Sequence, residues 1–448
     1  MSASSRARQL HLNINILHSG FVPSAWRLPE SDPTAFTDVR HYIRVAQIAE
    51  ASKLDAVFLA DNAAIVDQIH FRPIPVLEPT VLLACIAAAT THIGLVGTAS
   101  TSYNEPYNIA RRFATLDHVS AGRAGWNVVT TADAPSARNF GRDAAPDHAQ
   151  RYARASEFTT VVKALWDSWE DDAFIGDKAS GRFVDTAKVQ PIAHHGEHFS
   201  VHGPLNLPRS PQGHPVLVQA GGSADGRELA ARHAEAVFSA SQSFEESLAY
   251  GRELKARAQA LGRGPDAVRV LAGLTTIIGA TEAQARQRRD ALIDLIPWDY
   301  SLARLAGTLG ITPDRLKLDE RLPDHLVLPA NGNGNHTFFN ATLALARRHG
   351  YTVRELIREL AGGGGHRVIV GTPEQIADDI EHWFRHGAAD GFNLMPDALP
   401  DGLQDFVDGV VPILQRRGIF RTEYEGSTLR EHLGLARPQG RRSARKAA

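Results

Sequence analysis

The chain has 448 residues, with 48 lysines and arginines against 50 aspartates and glutamates, so its formal net charge is −2. This balance excludes the basic footprint of a nucleic-acid-binding protein, and 43 % hydrophobic residues exclude disorder as the main state. A single cysteine excludes a disulfide framework and a cysteine-based zinc site. The apolar neighbours of that residue, Cys85, predict that it is buried.

Apolar runs typical of strands alternate with amphipathic helical segments along the chain. Strands are predicted at residues 10–17, 54–61, 93–100, 125–131, 215–220, 236–240, 268–278 and 391–395. Helices are predicted at residues 38–53, 107–116, 152–169, 225–234, 244–261, 281–293, 373–386 and 403–416. Continuous apolar strands joined by helices indicate a parallel sheet with helices packed on it. About eight such units would close an α/β fold into a (β/α)₈ TIM barrel, and a doubly wound open sheet is the alternative; periodicity alone does not separate the two.

Two insertions interrupt this alternation. Residues 171–212 contain the cluster 194–198, three histidines around a glycine, which predicts an exposed hairpin and no metal site. Residues 295–366 carry an Asn–Gly alternation at 331–335 and four glycines at 362–365, typical of hinges, so we expect a lid inserted before the last βα units. We therefore predict a single domain over residues 1–448 that ends in a disordered basic tail at 437–448.

Several targeting and catalytic motifs are missing. The N-terminus lacks the apolar core of a signal peptide, and the most apolar stretch, 81–97, is interrupted by polar residues, so a cytoplasmic protein without membrane segments is expected. No G-x-G-x-x-G follows a strand and no P-loop is present. The segment from Gly221 to Asp225 fails the G-x-S-x-G pattern of serine hydrolases.

Polar residues follow five of the predicted strands. They are Asp61, Thr98, Asn127, Gln219 and Ser239. Because the carboxyl ends of barrel strands meet at one opening, we expect these residues to line a site for a polar ligand. The segment Gly221-Gly222-Ser223 precedes a predicted helix and suits a phosphate, although Ser223 could equally be a helix N-cap.

Five motifs occur in a recognisable order and spacing. They are Trp126–Thr130 (WNVVT), Pro146–Tyr152 (PDHAQRY), Leu165–Asp172 (LWDSWEDD), Ser210–Gly213 (SPQG) and Asp390–Leu394 (DGFNL). In this arrangement the chain resembles the bacterial-luciferase-like flavin monooxygenases, in the branch of nitrilotriacetate monooxygenase component A and dibenzothiophene-sulfone monooxygenase. The resemblance extends from about residue 10 to residue 436.

The resemblance implies an FMNH₂-dependent monooxygenase on a (β/α)₈ barrel. Reduced FMN, supplied by a separate NAD(P)H:flavin reductase, would react with O₂ to a peroxyflavin that oxygenates a small organic substrate. An organosulfur or aminocarboxylate compound, with C–S or C–N cleavage, is the expected substrate, and a homodimer or homotetramer the expected assembly. The alternatives are a deazaflavin-dependent oxidoreductase on the same barrel and a flavin-binding protein without turnover.

The resemblance also implies roles for individual residues. Asp61 and Thr98 correspond to positions at the flavin ring and its polar edge, whereas His148, Tyr152 and Ser223 correspond to positions at the ribityl chain and phosphate.

Catalytic and substrate contacts are predicted from strand ends and from the lid. Asn127 is a candidate hydrogen-bonding group for the peroxide or the substrate, and His18, with Trp26, is a candidate substrate contact. On the lid the candidates are His336, Phe338 and Phe339. Ala132 stands where the alkane-oxidising relatives have a histidine, which argues against alkane hydroxylation.

Overall fold

Eight parallel strands close into a barrel, in which each strand pairs with the next and the last pairs with the first. The structure is a computed structural model that describes residues 8–65, 69–74, 77–326, 336–360 and 365–440. The barrel strands are β1 (His11–Asn15), β2 (Ala56–Leu59), β3 (Gly94–Ser100), β4 (Ala124–Val129), β5 (Val216–Gln219), β6 (Ala236–Ser239), β7 (Arg269–Ile278) and β8 (Gly391–Leu394). All eight lie within or beside the predicted segments, so the (β/α)₈ barrel is confirmed and the open sheet is wrong.

Helices surround the barrel. They are α1 (Val39–Ala51), α2 (Pro79–Ala89), α3 (Pro106–Val119), α4 (Ala134–Asn139), α5 (His148–Trp166), α6 (Ala224–His233), α7 (Phe244–Ala260), α8 (Glu282–Asp294), α9 (Trp298–Leu309), α10 (His336–His349), α11 (Val353–Glu359), α12 (Pro373–Arg385), α13 (Asp401–Asp405), α14 (Val411–Arg416) and α15 (Leu429–His432). None of these helices is long and apolar enough to cross a membrane. Cys85 on α2 is exposed, so its predicted burial is wrong.

Alternation along the strands separates an outer apolar core from a polar interior. Leu12 and Ile14 of β1 are fully buried in the main core, which also contains Val45 of α1. Side chains of a strand point alternately to its two faces, so Asn13 and Asn15 face the inside of the barrel. Helices therefore cover the outer apolar face of β1, and the asparagines of this strand lie inside the barrel.

Ion pairs and leucines close the barrel at the amino ends of its strands. Asp55, which is fully buried, accepts hydrogen bonds from Arg421 Nη2 at 2.6 Å and from the Leu12 amide at 2.7 Å, and it pairs with His11 Nδ1 at 3.0 Å. Leu429 and Leu433 of the C-terminal segment pack in the same cluster as the inward residues of β2 and β5. This end of the barrel is thus held together by buried ion pairs and apolar packing.

The first insertion forms two hairpins beside α5. Phe174–Asp177 pairs with Arg182–Val184, and His194–His195 pairs with Ser200–Val201. His194 Nε2 lies 2.8 Å from the carboxylate of Glu157 on α5, and no cluster of metal-ligating side chains occurs in the described part of the chain.

The start of the expected tail is held in place. Arg437 binds the carboxylate of Asp171, and the Pro438 carbonyl accepts from Arg209 at 2.8 Å. Residues 441–448 lie outside the described residues.

The second insertion is helical and has a core of its own. Leu305 and Leu309 of α9, Phe339 of α10 and Leu356 of α11 pack together in it. The insertion is followed directly by a strand, Arg367–Gly371, that pairs with the second half of β7. This pairing places the end of the insertion at the mouth of the barrel. The predicted hinges at 331–335 and 362–364 lie outside the described residues.

Candidate active site

A cavity of about 340 Å³ opens at the carboxyl ends of β4, β5 and β6. Its polar lining comes from α5 and the turn after β5, and its aromatic lining from β6 and the second insertion. We call it the mouth cavity. Its lining includes Thr130, His148, Arg151, Tyr152, Ser223, Phe238, Phe338 and His366. A cavity of this size, with few polar groups beside aromatic rings, is typical of a small-molecule site.

The turn after β5 leads directly into α6. Ser223 is the N-cap of α6, and its Oγ accepts a hydrogen bond from the Gly226 amide at 3.1 Å. The N-cap interpretation is therefore confirmed, but it does not exclude ligand binding because the hydroxyl proton is not used by this bond. A Cβ added at Gly221 would lie 3.1 Å from the hydroxyl of Tyr152 and closer still to the Gln219 amide. Glycine thus allows the turn to approach α5, and the helix terminus favours an anion there.

The first turn of α5 supplies three further side chains to the mouth cavity. His148 Nδ1 donates to Asp225 Oδ2 at 2.8 Å, and its ring lies 4.7 Å from the ring of Tyr152. The side chain of Arg151 is buried and donates to the Pro146 carbonyl at 2.7 Å, and burial lowers the pKa of its guanidinium. His148, Tyr152 and Ser223, which were predicted to belong to one site, therefore line the same cavity. Arg151 is a buried cation among them that the sequence interpretation missed, although it lies inside a quoted motif.

A layer of polar side chains fills the barrel below the mouth. Asn127 Nδ2 donates to Thr98 Oγ1 at 2.9 Å, which joins β4 to β3. Buried polar atoms without a hydrogen-bond partner among the described residues include Asn13 Oδ1, Asn15 Oδ1, Asn127 Oδ1, Thr275 Oγ1 and both side-chain atoms of Asn393. A buried polar atom without a partner costs about 1–3 kcal/mol, so this layer suits the polar edge of a ligand seated at the mouth.

His18 follows β1 in a left-handed conformation, with φ of +34°. The Ser19 amide donates to its Nδ1 at 2.9 Å, so the ring proton is on Nε2, which has no partner among the described residues. Burial, with the charges of Arg72 and His41, lowers the pKa of His18 to about 3. His18 is therefore a neutral hydrogen-bond donor. It is not among the residues that line the mouth cavity.

The other predicted residues are dispersed. Asp61 is exposed two residues after β2 and does not line the mouth cavity. Trp26 donates to the Phe71 carbonyl at 3.0 Å. Of the lid residues, Phe338 lines the cavity, Phe339 is buried in the core of the insertion, and the side chain of His336 lies outside the described residues.

The site fits a phosphorylated aromatic ligand such as FMN. The turn at Gly221–Ser223, the α6 terminus and Arg151 suit a phosphate. Phe238, Phe338 and His366 line the same cavity and suit a flat ring. His366 was not predicted, because its place in the site depends on a strand pairing that the local sequence does not reveal.

Known proteins are similar to this chain over nearly its full length. Residues 20–390 match the luciferase-like monooxygenase family. Nitrilotriacetate monooxygenase component A from Aminobacter aminovorans is 47 % identical, and the match covers 96 % of this chain and 98 % of that protein. N-acetyl-S-(2-succino)cysteine monooxygenase from Bacillus subtilis is 44 % identical over 98 % of this chain and 99 % of that protein.

Solved structures share the fold. EDTA monooxygenase from Chelativorans sp. BNC1 has a TM-score of 0.83 and 37 % identity, with 96 % of this chain and 99 % of that chain covered. Riboflavin lyase, solved with modified FMN and its substrate riboflavin, has a TM-score of 0.83 and 34 % identity, with 96 % and 97 % covered.

Proposed function

Because this chain belongs to the luciferase-like monooxygenase family, we propose that it is the oxygenase component of a two-component system that uses reduced FMN and O₂. The chain is a flavin-dependent monooxygenase. One observation carries the proposal: 47 % identity over 98 % of a relative whose own name is component A of a monooxygenase. A separate NAD(P)H:flavin reductase is the expected source of reduced FMN, which agrees with the missing dinucleotide-binding motif. We expect both proteins in the cytoplasm.

Ser223, Tyr152 and His148 are the residues that we expect to hold the phosphate and the ribityl chain. Their side chains offer two hydroxyls and an imidazole around a helix N-terminus, and Arg151 adds a buried positive charge. Charge-assisted hydrogen bonds of this kind are the strong ones. His148 also donates to Asp225 Oδ2 at 2.8 Å, which fixes the orientation of its imidazole.

The bound reduced FMN supplies the reaction with O₂, and the chain supplies orientation and a dry environment. The hydrogen bond to Thr98 fixes the side-chain amide of Asn127. Its Oδ1 lies in the buried polar layer without a hydrogen-bond partner among the described residues. Asp61 remains a proposed contact of the flavin ring from the rim of the barrel. The second insertion contributes Phe338 to the mouth cavity, where an apolar ring excludes water. Exclusion of water prevents reactive oxygen species from being lost without oxygenating the substrate.

The substrate that we propose is a small aminocarboxylate or organosulfur compound. The support is that nitrilotriacetate, EDTA and a succinated cysteine appear in the names of similar monooxygenases. His18 is the proposed substrate contact, because its Nε2–H is buried and has no partner among the described residues. A homodimer or homotetramer is the proposed assembly.

The test is oxygen uptake by the purified protein with FMN, NADH and a flavin reductase. Nitrilotriacetate, EDTA and N-acetyl-S-(2-succino)cysteine are added in turn, and disappearance of each compound is followed by chromatography. We expect one of them to be consumed with a matching uptake of oxygen, and none in a control without the protein. Binding of a deazaflavin with no binding of FMN would contradict the proposal and favour hydride transfer.

A further inference from the structure

His366, the last residue of the second insertion, belongs to the aromatic lining of the mouth cavity. Its ring stacks on Phe238 of β6, with centroids 5.0 Å apart and an interplanar angle of 6°. Phe338 of α10 meets the ring edge-on at 5.1 Å, and Phe21 does so at 6.0 Å. Three aromatic side chains from three parts of the chain therefore fix this imidazole.

A glycine in β7 makes room for the imidazole. Gly273 pairs with Asn393 of β8, whose side chain belongs to the buried polar layer. A Cβ at Gly273 would lie 2.5 Å from His366 Nδ1 and 2.7 Å from Phe238. The imidazole thus occupies the place that an inward side chain of β7 would take, directly above the barrel interior.

The imidazole of His366 is neutral and has a nitrogen that is unpaired within the described part of the chain. Its Nδ1 is buried and has no hydrogen-bond partner among the described residues. Burial lowers the pKa of the ring to about 4, so the ring is neutral at pH 7. The Gly365 carbonyl before it accepts from Gln242 at 2.6 Å, which fixes the backbone on the other side. The ring is therefore held rigidly, with its buried Nδ1 directed into the barrel beside Gly273.

We propose that His366 is a catalytic residue that contacts the isoalloxazine ring of FMN bound in the mouth cavity. This inference rests on the proposed function, since it needs FMN in the cavity. The imidazole offers the flavin a hydrogen bond, and the aromatic cluster of Phe238, His366 and Phe338 shields the isoalloxazine ring from water. Through this contact the second insertion acts on the flavin itself and not only on entry to the site.

The proposal is tested with His366→Phe and His366→Asn in the full chain. Phenylalanine keeps the stack on Phe238 but removes both nitrogens, whereas asparagine keeps a hydrogen-bonding group without the aromatic ring. His349→Phe is the matched control, because His349 stacks on Tyr351 at 5.1 Å on the exposed surface of the same insertion. Circular dichroism and thermal melting show whether each variant folds, and if one variant does not fold, the other carries the test.

Three quantities are measured without any substrate: the dissociation constant of FMN, the visible spectrum of bound FMN, and the rate of flavin reoxidation when protein with reduced FMN meets O₂. For His366→Phe we expect about tenfold weaker FMN binding, a changed flavin spectrum and about tenfold faster reoxidation, the effect of one lost hydrogen bond. His366→Asn should fall between this variant and the wild type, and His349→Phe should match the wild type.

The outcomes separate the inference from the proposed function. The inference is wrong, while the proposed function stands, if the wild type binds FMN and His366→Phe behaves like it. This means an FMN affinity and a reoxidation rate within about twofold, a range below the effect of one hydrogen bond, and an unchanged flavin spectrum. If the wild type does not bind FMN at all, the proposed function is contradicted directly.

Discussion

The proposed phosphate site makes a prediction that distinguishes FMN from riboflavin, because the two molecules differ only by the phosphate. The perturbation is Ser223→Ala combined with Tyr152→Phe, which removes two hydroxyls from the polar side of the mouth cavity. Hydrogen bonds to charged groups contribute about 1.5–3 kcal/mol each. Two such bonds sum to about 3–6 kcal/mol. Because Arg151, the α6 terminus and water take over part of the phosphate's hydrogen bonding, we expect a net loss of about 1–3 kcal/mol, or about 5- to 150-fold in FMN affinity.

The structure also predicts a separate cost in stability. Ser223 Oγ caps α6 through the Gly226 amide, and the loss of such a cap costs about 1 kcal/mol of folding free energy. Thr281→Ala is the matched control, because Thr281 caps α8 in the same way through the Gln284 amide and is exposed away from the mouth cavity. The control should lose similar stability and keep its FMN affinity.

The assay is a fluorescence titration of each protein with FMN and with riboflavin, beside a thermal melt. Riboflavin affinity should change by less than about twofold in the double variant, because no charge-assisted bond is lost with that ligand. Equal losses for FMN and riboflavin would refute the phosphate assignment, since they would mean that the cavity had been damaged as a whole.

Three further predictions concern packing, pH and the barrel base. Gly273→Ala should lose about 1–3 kcal/mol of unfolding free energy by overpacking, because the added Cβ would clash with His366 and Phe238. The control is Gly307→Ala in α9, whose Cβ would meet nothing within 4 Å and which should gain about 0.5–1 kcal/mol in urea unfolding. Equal effects of the two substitutions would contradict the packing at the mouth. Burial, with the charges of Lys163, Arg232 and Arg263, lowers the pKa of His233 to about 3, below the value near 6.5 in the unfolded chain. The stability that the neutral imidazole contributes is therefore complete above about pH 6.5 and is lost as the pH falls towards 3. The loss is about 2 kcal/mol at pH 5, and His233→Gln should reduce the fall in unfolding free energy between pH 7 and pH 5 by that amount; an unchanged fall would show that the buried ring does not govern it. Asp55→Asn should cost about 3–5 kcal/mol in urea unfolding, because Arg421 stays buried without its anion. Asp319→Asn, in an exposed pair with Arg354, is the control and should be nearly neutral. A nearly neutral Asp55→Asn would contradict the stabilising role of the Asp55–Arg421 pair.

Local patterns were enough to predict parallel strands alternating with helices, whereas closure into a barrel rested partly on the family resemblance, and the structure of the insertion was not predicted. The strands were found because each is a short apolar run, buried on both faces, between helical segments. Cys85 shows the limit of this reasoning, since α2 is apolar all round and its sequence does not tell which face meets the barrel. Helices α9 to α11 were missed because the insertion was interpreted from its two glycine-containing stretches rather than from the segments between them.

The candidate site was also predicted only in part. Ser223 lies at the start of α6, and His148 and Tyr152 lie at the start of α5. Because each residue belongs to a short recognisable segment at a strand end or helix start, their proximity could be predicted from the sequence. His366 is brought to Phe238 only by the pairing of Arg367 with Leu274 of β7, which no local pattern reveals. The polar side of the mouth cavity therefore depends on the barrel alone, whereas the aromatic side also depends on how the insertion returns to it. Substitutions inside the insertion should then act first on how the ring end of a ligand is held, and leave the binding of its phosphate to the barrel.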